Sequence, residues 1–327
     1  MQLQLKLDIQ PLDQPITYKD KLLLTGSCFT EHISDRLAQH KFRTLANPNG
    51  ILFNPLSVAK SLNAYAEGRL YSESELFYLN ELWNSWDHHT RFSDIDKQKA
   101  LERINSSQKE ASNWIKETDW VIITLGSAFQ YYLKENGRPV ANNHRAPAQW
   151  FERKLLPIED IVEVLSNALK NILSMNLEAK FLFTVSPVRH IKDGVVENNR
   201  SKARLIEAVH VLCEQMEQAH YFPSYELVID ILRDYRFYDI DFVHPNYLAT
   251  QYVWDQFVQA CIAQGDRKIM AEVKELAIAR GHRSRFPETE AHRKFLESYR
   301  AKAVSLMKQY PYLNLNEELA YFSSEFS

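Results

Sequence analysis

The sequence predicts a three-layer α/β/α sandwich, with a mainly parallel sheet of about five strands and a helical appendage at the C-terminus. Three observations predict it. Short apolar runs at 21–25 (K-L-L-L-T), 119–125 (D-W-V-I-I-T-L) and 180–185 (K-F-L-F-T-V) alternate with longer segments of helical periodicity. These runs lack polar alternation, as expected of strands covered on both faces. Beyond residue 263 the strand signals stop and charged, helix-prone sequence follows.

The first residues, M-Q-L-Q-L-K-L-D-I-Q-P-L-D, alternate like a strand, and Asp8 breaks any apolar run, so no signal peptide is expected. After the strand at 21–25 come Gly26 and Ser27, and then Phe29, Ile33 and Leu37 mark one face of a helix. Asn54-Pro55 suits the start of a helix over 55–66. Residues 67–93 are aromatic-rich and irregular, and 94–117 reads as a helix. Gly126 closes the β-branched run at 119–125, the strongest strand signal in the chain. Asn136-Gly137 places a hairpin within 129–141. Helices are expected over 158–175, 199–219 and 246–263, and Ser186-Pro187 stops the strand at 180–185. The expected organisation is an α/β domain over 1–263 and a helical extension over 264–327. Arg280-Gly281 and Phe286-Pro287 divide that extension into two or three helices, and 311–327 reads as a poorly ordered or docked tail.

Composition narrows the function classes. The 327 residues are 45% apolar and 25% charged, with a formal net charge of −3. That balance gives no electrostatic reason to expect nucleic acid or an anionic membrane as partner. No stretch reaches the ~20 apolar residues that span a bilayer. The three cysteines, Cys28, Cys213 and Cys261, are odd in number and widely spaced, which describes free thiols rather than a disulfide or zinc framework. The expected location is the cytoplasm. Nothing in the sequence indicates an oligomeric state.

Two segments carry candidate chemistry. In L-L-L-T-G-S-C-F-T-E-H, Ser27 stands directly after a buried strand and before a helix. Ligands of open α/β sheets bind beyond the carboxyl ends of the strands. The helix N-terminus adds unpaired N–H groups that favour developing negative charge. Ser27 is equally suited to cap that helix. In D-I-D-F-V-H-P-N, Asp241 and His244 are three apart, close enough for the carboxylate to hold one ring nitrogen protonated and leave the other to accept a proton. A surface loop with a capping aspartate would read the same way. Asp239 is a rival carboxylate at a spacing of five. Ser27 and His244 are distant in sequence, but an alternating α/β fold can bring both to one end of the sheet, as a nucleophile and its base require.

The G-S-C-F-T segment at 26–30 with a later D-x-x-H resembles the GSCFA-domain family, within the wider SGNH/GDSL-like hydrolases. N-P-N-G-I-L-F-N-P at 47–55, T-L-G-S-A at 124–128, A-N-N-H-R-A-P at 141–147, S-P-V-R-H at 186–190 and R-D-Y-R-F-Y-D-I-D-F-V-H-P at 233–245 agree with it. The resemblance spans about residues 20–263. It implies an SGNH, flavodoxin-like fold and a serine esterase or acyltransferase acting on an ester, such as an O-acylated carbohydrate, without cofactor or metal. Ser27 would be the nucleophile, with Asp241 and His244 as acid and base. The backbone N–H groups of Ser27 and Gly50 would receive the oxyanion. The sequence departs from the SGNH pattern at the third block, where Gly126-Ser127-Ala128 puts alanine in place of the oxyanion-binding asparagine. Asn142 and His144 are candidate replacements.

Two more histidine segments are candidates. His88, in W-N-S-W-D-H-H-T-R-F, could line the pocket, and Asp87, His88 and His89 together could hold a metal, although adjacent histidines point apart. Arg189 and His190 could contact an anionic or sugar-like acyl acceptor, or serve only to hold their loop. Two other classes therefore stand beside the esterase: a non-catalytic carbohydrate- or ligand-binding module, which Ala128 favours, and a metal-dependent hydrolase at 87–89.

Overall fold

A computed structural model describes residues 5–323. Strand β1 (Lys21–Gly26) leads through Ser27 into α1 (Cys28–Gln39), followed by β2 (Arg43–Ala46) and α2 (Pro55–Ala66). A hairpin, β3 (Leu76–Leu79) and β4 (Leu82–Ser85), precedes α3 (Lys97–Ile115) and β5 (Trp120–Leu125). Then come β6 (Phe129–Leu133), β7 (Pro139–Val140), β8 (Phe151–Leu155), α4 (Ile158–Met175), β9 (Lys180–Val185) and α5 (Val195–Gln215). Strand β10 (Ala219–Tyr221) enters the single turn α6 (Ser224–Glu226), which widens into a π-helical segment over Leu227–Leu232. Helices α7 (Tyr247–Cys261), α8 (Gln264–Gly281), α9 (Glu290–Gln309) and α10 (Asn316–Ser323) complete the chain.

The central sheet has five strands in the order β10-β9-β5-β1-β2, all parallel. Each strand divides its side chains between two layers. Leu22 and Leu24 of β1, Trp120 and Ile122 of β5 and Leu182 of β9 pack with Phe29, Ile33 and Leu37 of α1 and Val253, Trp254 and Phe257 of α7. Leu23, Val121, Ile123, Phe181 and Phe183 face a second core built with α2, α3, α4 and α5. This is the α/β/α sandwich expected from the buried runs.

Local chemistry sets the boundaries. The Asn54 carboxamide accepts the Ser57 N–H at 2.9 Å with Pro55 in the first turn, which starts α2. The Asp96 carboxylate caps α3 and the Asn246 carboxamide caps α7. A small antiparallel sheet, ordered β7-β6-β8, lies beside the main one. Its β6–β7 turn contains Gly137 at φ +70°.

Three expectations need correction. The alternating N-terminal stretch forms no strand over residues 5–15, and 1–4 lie outside the described residues. Instead, Leu12 donates its N–H to the Ala260 carbonyl at 3.0 Å and Ile16 bridges to Ile262, so the segment is pinned to the end of α7. The helix expected over 199–219 is shifted to Val195–Gln215, and β10 takes the residues behind it. The helix expected over 246–263 runs from Tyr247 to Cys261, with Asn246 as its cap.

The C-terminal helices share one continuous core with α1, α7 and the sheet. Leu296, Leu306, Leu313, Leu315 and Phe322 join it, and Tyr312 lies 6.1 Å from Tyr18, ring centre to ring centre. The tail is docked through residue 323, and 324–327 lie outside the described residues.

Candidate active site

The site is built where the strand order reverses. From β1 the chain crosses to β2 on one side and then to β5 on the other, and it is at such a crossover, beyond the carboxyl ends of the strands, that open α/β sheets bind their ligands. Ser27 occupies that position. It is 1% exposed, and its hydroxyl has no hydrogen-bond partner among the described residues. It stands at the N-cap of α1, yet its side chain makes no capping bond. The capping role that the sequence allowed is therefore unused.

Close backbone approach dictates the residues around Ser27. Gly26 has φ +137°, and a Cβ there would lie 2.1 Å from the Thr124 carbonyl oxygen. A Cβ on Gly126 would come within 3.3 Å of both the Ser27 Cβ and Phe53. The 47–52 loop cradles the end of β1. The Asn47 Oδ1 accepts the Gly26 N–H at 2.9 Å, and the Leu52 N–H donates to the Gly26 carbonyl at 2.9 Å. Asn47 is fully buried, with φ +46°, and its Nδ2 has no partner among the described residues.

The second half of the site stands on the 233–246 loop. Asp241 Oδ1 accepts the backbone N–H groups of Val243 and His244, and its Oδ2 lies 2.6 Å from His244 Nδ1. The hydrogen bonds from His244 and Val243 lower the Asp241 carboxyl to a pKa of about 2. This acid–imidazole pair is formed as the D-x-x-H spacing suggested, and both side chains are exposed. Arg189 holds the loop rather than standing free. Its N–H donates to the Val243 carbonyl at 3.3 Å, its Nη1 to the Phe242 carbonyl at 3.3 Å, and its guanidinium stacks 4.2 Å from the Tyr238 ring centre. Since Arg189 follows β9 closely, these bonds bring Asp241 and His244 to the carboxyl end of the sheet, the end that carries Ser27. No hydrogen bond joins Ser27 Oγ to the imidazole.

Between the two halves lie His190 and Lys202. The His190 ring meets Phe53 edge-on at 5.6 Å, and burial, with the nearby charges of Lys202 and His244, lowers it to about 4. Lys202, 1% exposed, donates from Nζ to the Gly126 and Ser186 carbonyls, each at 2.6 Å, so it ties together the chain just beyond β5 and β9. Burial lowers it to about 7. Sequence reasoning missed Lys202. Its signal is that it falls on the buried stripe of α5, with Asn198, Ser201, Leu205, Ala208, Val209 and Leu212.

The expected oxyanion donors are placed differently. The Ser27 N–H donates to the Thr124 carbonyl at 3.0 Å and the Gly50 N–H to the Asn47 carbonyl at 2.7 Å, so both amides are already engaged. Gly50 is a glycine for another reason: a Cβ there would lie 2.1 Å from the His89 Cβ. Asn142 spends its Oδ1 on the His144 N–H at 2.9 Å, in a turn of the smaller sheet, and its own N–H points to Trp86. Ala128 is fully buried, with its N–H bonded to Ser201 Oγ at 2.7 Å.

His88 and His144 belong to the interior of the neighbouring region instead of a pocket wall. His88 is 1% exposed and pairs its Nδ1 with Ser85 Oγ at 2.8 Å, while His144, 6% exposed, pairs its Nε2 with the Ser85 carbonyl at 2.7 Å. Asp87 is no metal ligand in waiting, because its two oxygens receive Lys60 at 2.6 Å and Arg138 at 2.9 Å. His89 lies against Gly50, whereas the His88 ring packs against Tyr71 and Phe92. This segment braces the 47–50 loop: the His89 N–H donates to the Asn49 carbonyl at 2.8 Å and Arg91 donates to the Asn47 carbonyl.

All three cysteines are free thiols, and no helix among the described residues is long and apolar enough to cross a membrane. No curated protein matches the chain. Residues 21–257 match the GSCFA family, and residues 273–327 match the C-terminal domain of GSCFA domain proteins. The first match covers most of the chain, including Ser27, Lys202, Asp241 and His244, and the chain belongs to the GSCFA family.

Proposed function

We propose that this protein is a cytoplasmic serine esterase or acyltransferase on an SGNH-type scaffold. Its substrate would be a small-molecule ester, a class that includes O-acylated carbohydrates. The observation that carries the reading is the buried, unpartnered Ser27 hydroxyl at the strand crossover point. Buried hydroxyls are normally hydrogen-bonded, and each exception calls for an explanation, of which a catalytic role is one. The Asp241–His244 pair at the same end of the sheet supplies the matching base.

In this reading Asp241 holds the proton on His244 Nδ1, leaving Nε2 to accept one. The His244 ring closes to hydrogen-bond distance of Ser27 as substrate binds, since catalytic contacts commonly tighten only in the complex. Ser27 Oγ bonds to the ester carbonyl carbon, its proton passes to His244, and the carbonyl electron pair moves onto oxygen. Collapse of this tetrahedral species breaks the C–O bond, and the departing alcohol takes the proton from His244. Water or a sugar hydroxyl then accepts the acyl group from Ser27 by the same route. The N-terminus of α1 favours the negative charge throughout.

Labelling with a fluorophosphonate probe, with the modified residue mapped by mass spectrometry, tests this directly. The wild type is expected to carry the label on Ser27 and to turn over p-nitrophenyl acetate, while folded Ser27→Ala does neither. Equal turnover by both proteins would remove the serine mechanism. It would favour a non-catalytic ligand-binding module, the reading that the engaged Ser27 and Gly50 amides support.

A further inference from the structure

We infer that Asn47, at the carboxyl end of β2, supplies the side-chain oxyanion donor that Ala128 cannot. The inference rests on the serine-esterase reading and adds to it a residue whose role is distinct from the triad. An acyl-transfer site needs N–H donors aimed at the oxygen on which charge develops. The backbone amides of Ser27 and Gly50 are bonded to Thr124 and Asn47, and the third-block position is a buried alanine. A donor must come from another part of the fold.

Asn47 meets the requirements. It is 0% exposed, and its Nδ2 carries two N–H donors with no acceptor among the described residues. An unsatisfied buried amide of this kind costs about 1–3 kcal/mol, so its retention calls for a reason. The orientation of the amide is determined. The Gly26 N–H requires an acceptor and finds Asn47 Oδ1 at 2.9 Å, which leaves Nδ2 as the free end. That free end sits beside Gly26, the residue preceding the nucleophile, and Ser27 Oγ is itself buried without a partner. An idle hydroxyl thus follows Gly26 in the chain, and the amide bonded to Gly26 through its oxygen has an idle nitrogen.

Rigidity favours the role as well. The Asn47 N–H donates to the Leu24 carbonyl at 2.8 Å, and its carbonyl receives the Gly50 N–H and Arg91. His89 packs into the space that a Cβ on Gly50 would take. The donor is therefore fixed before substrate arrives, the condition under which oxyanion stabilisation is strongest. As Ser27 Oγ bonds to the carbonyl carbon and the π pair moves onto oxygen, an Asn47 N–H would donate to that oxygen. The bond is released when the pair returns to re-form the carbonyl.

Asn47→Asp isolates the donor, because it keeps an oxygen for the Gly26 N–H and removes the NH2. Relative to wild type, kcat on p-nitrophenyl acetate is expected to fall ~100–1000-fold with KM little changed. The rate of fluorophosphonate labelling should fall in parallel, since the phosphoryl oxygen needs the same donor. A folded Asn47→Asp that retains kcat within threefold of wild type, while Ser27→Ala is inactive, would overturn the inference and leave the esterase reading standing. A wild type that neither labels nor turns over ester would overturn both. Should Asn47→Asp not fold, a crystal structure of the wild-type phosphonate adduct decides: the phosphoryl oxygen should lie about 2.7–3.1 Å from Asn47 Nδ2. A separation beyond hydrogen-bond reach overturns the inference.

Discussion

Lys202 is a buried cation whose two hydrogen-bond partners are neutral carbonyls, Gly126 and Ser186. Its titration makes a stability prediction. An unfolded chain keeps the lysine proton up to its ordinary value of 10.5, whereas the folded protein releases it near 7. Between those values the unfolded state binds more protons, so this group makes stability rise with pH across that window and contributes no slope below it. Lys202→Met should flatten the rise between pH 7 and pH 9, measured by urea unfolding at each pH. Identical slopes in the two proteins would show that Lys202 does not titrate in this way. Such a residue was legible only as a lysine in register with an apolar stripe. Ser27, Asp241 and His244 were legible because their spacing and placement at strand or loop ends carry chemical meaning. Asn47 lay within a recognised motif, but its unpaired amide depends on Gly26, twenty-one positions away.

Elements differ in how plainly the sequence announces them. Strands β5 and β9 are six residues each and nearly all buried, so their apolar runs stand out. Strand β2 (R-T-L-A) and β10 (A-H-Y) lie at the two borders of the sheet, are half-exposed and short, and carry too little apolar signal to be read. The hairpin β3–β4 owes its register to a two-residue turn, Asn80 and Glu81, both at positive φ, and no Asn-Gly pair announces it. The junction of β1 and α1 depends on a single position. Gly26→Ala would drive a methyl group into the Thr124 carbonyl at a backbone angle that L-residues rarely adopt. The expected outcome is loss of soluble, cooperatively unfolding protein, seen as a missing thermal transition. A soluble Gly26→Ala variant with a wild-type midpoint would contradict the close β1–β5 approach.

Over the whole molecule, the helical extension is structurally inseparable from the sheet. Leu296, Leu306, Leu315 and Phe322 share a core with Phe29, Trp120 and Trp254. Lys41 pairs with the buried Glu318 at 2.9 Å, and the Tyr18 N–H donates to Asp266 at 2.9 Å. Removing residues 264–327 would expose this apolar layer to water. At ~25 cal/mol per Å² of apolar surface, the loss of several large side chains alone exceeds the margin by which most domains are stable. A chain ending at 263 should be insoluble or molten, with strong ANS binding and no cooperative unfolding. A truncated protein that unfolds cooperatively near the wild-type midpoint would show the extension to be dispensable.

The burial of Phe322 also bears on how the protein is born. It stands in α10, the last of the described helices, with a fully covered ring. During synthesis, the layer that it completes must wait until α10 has followed the sheet and α7–α9 out of the ribosome. For that interval a greasy half-finished surface is on offer to any chaperone, or to another nascent copy. Yield in the cell should therefore respond to holdase supply more steeply than the stability of the finished fold would suggest.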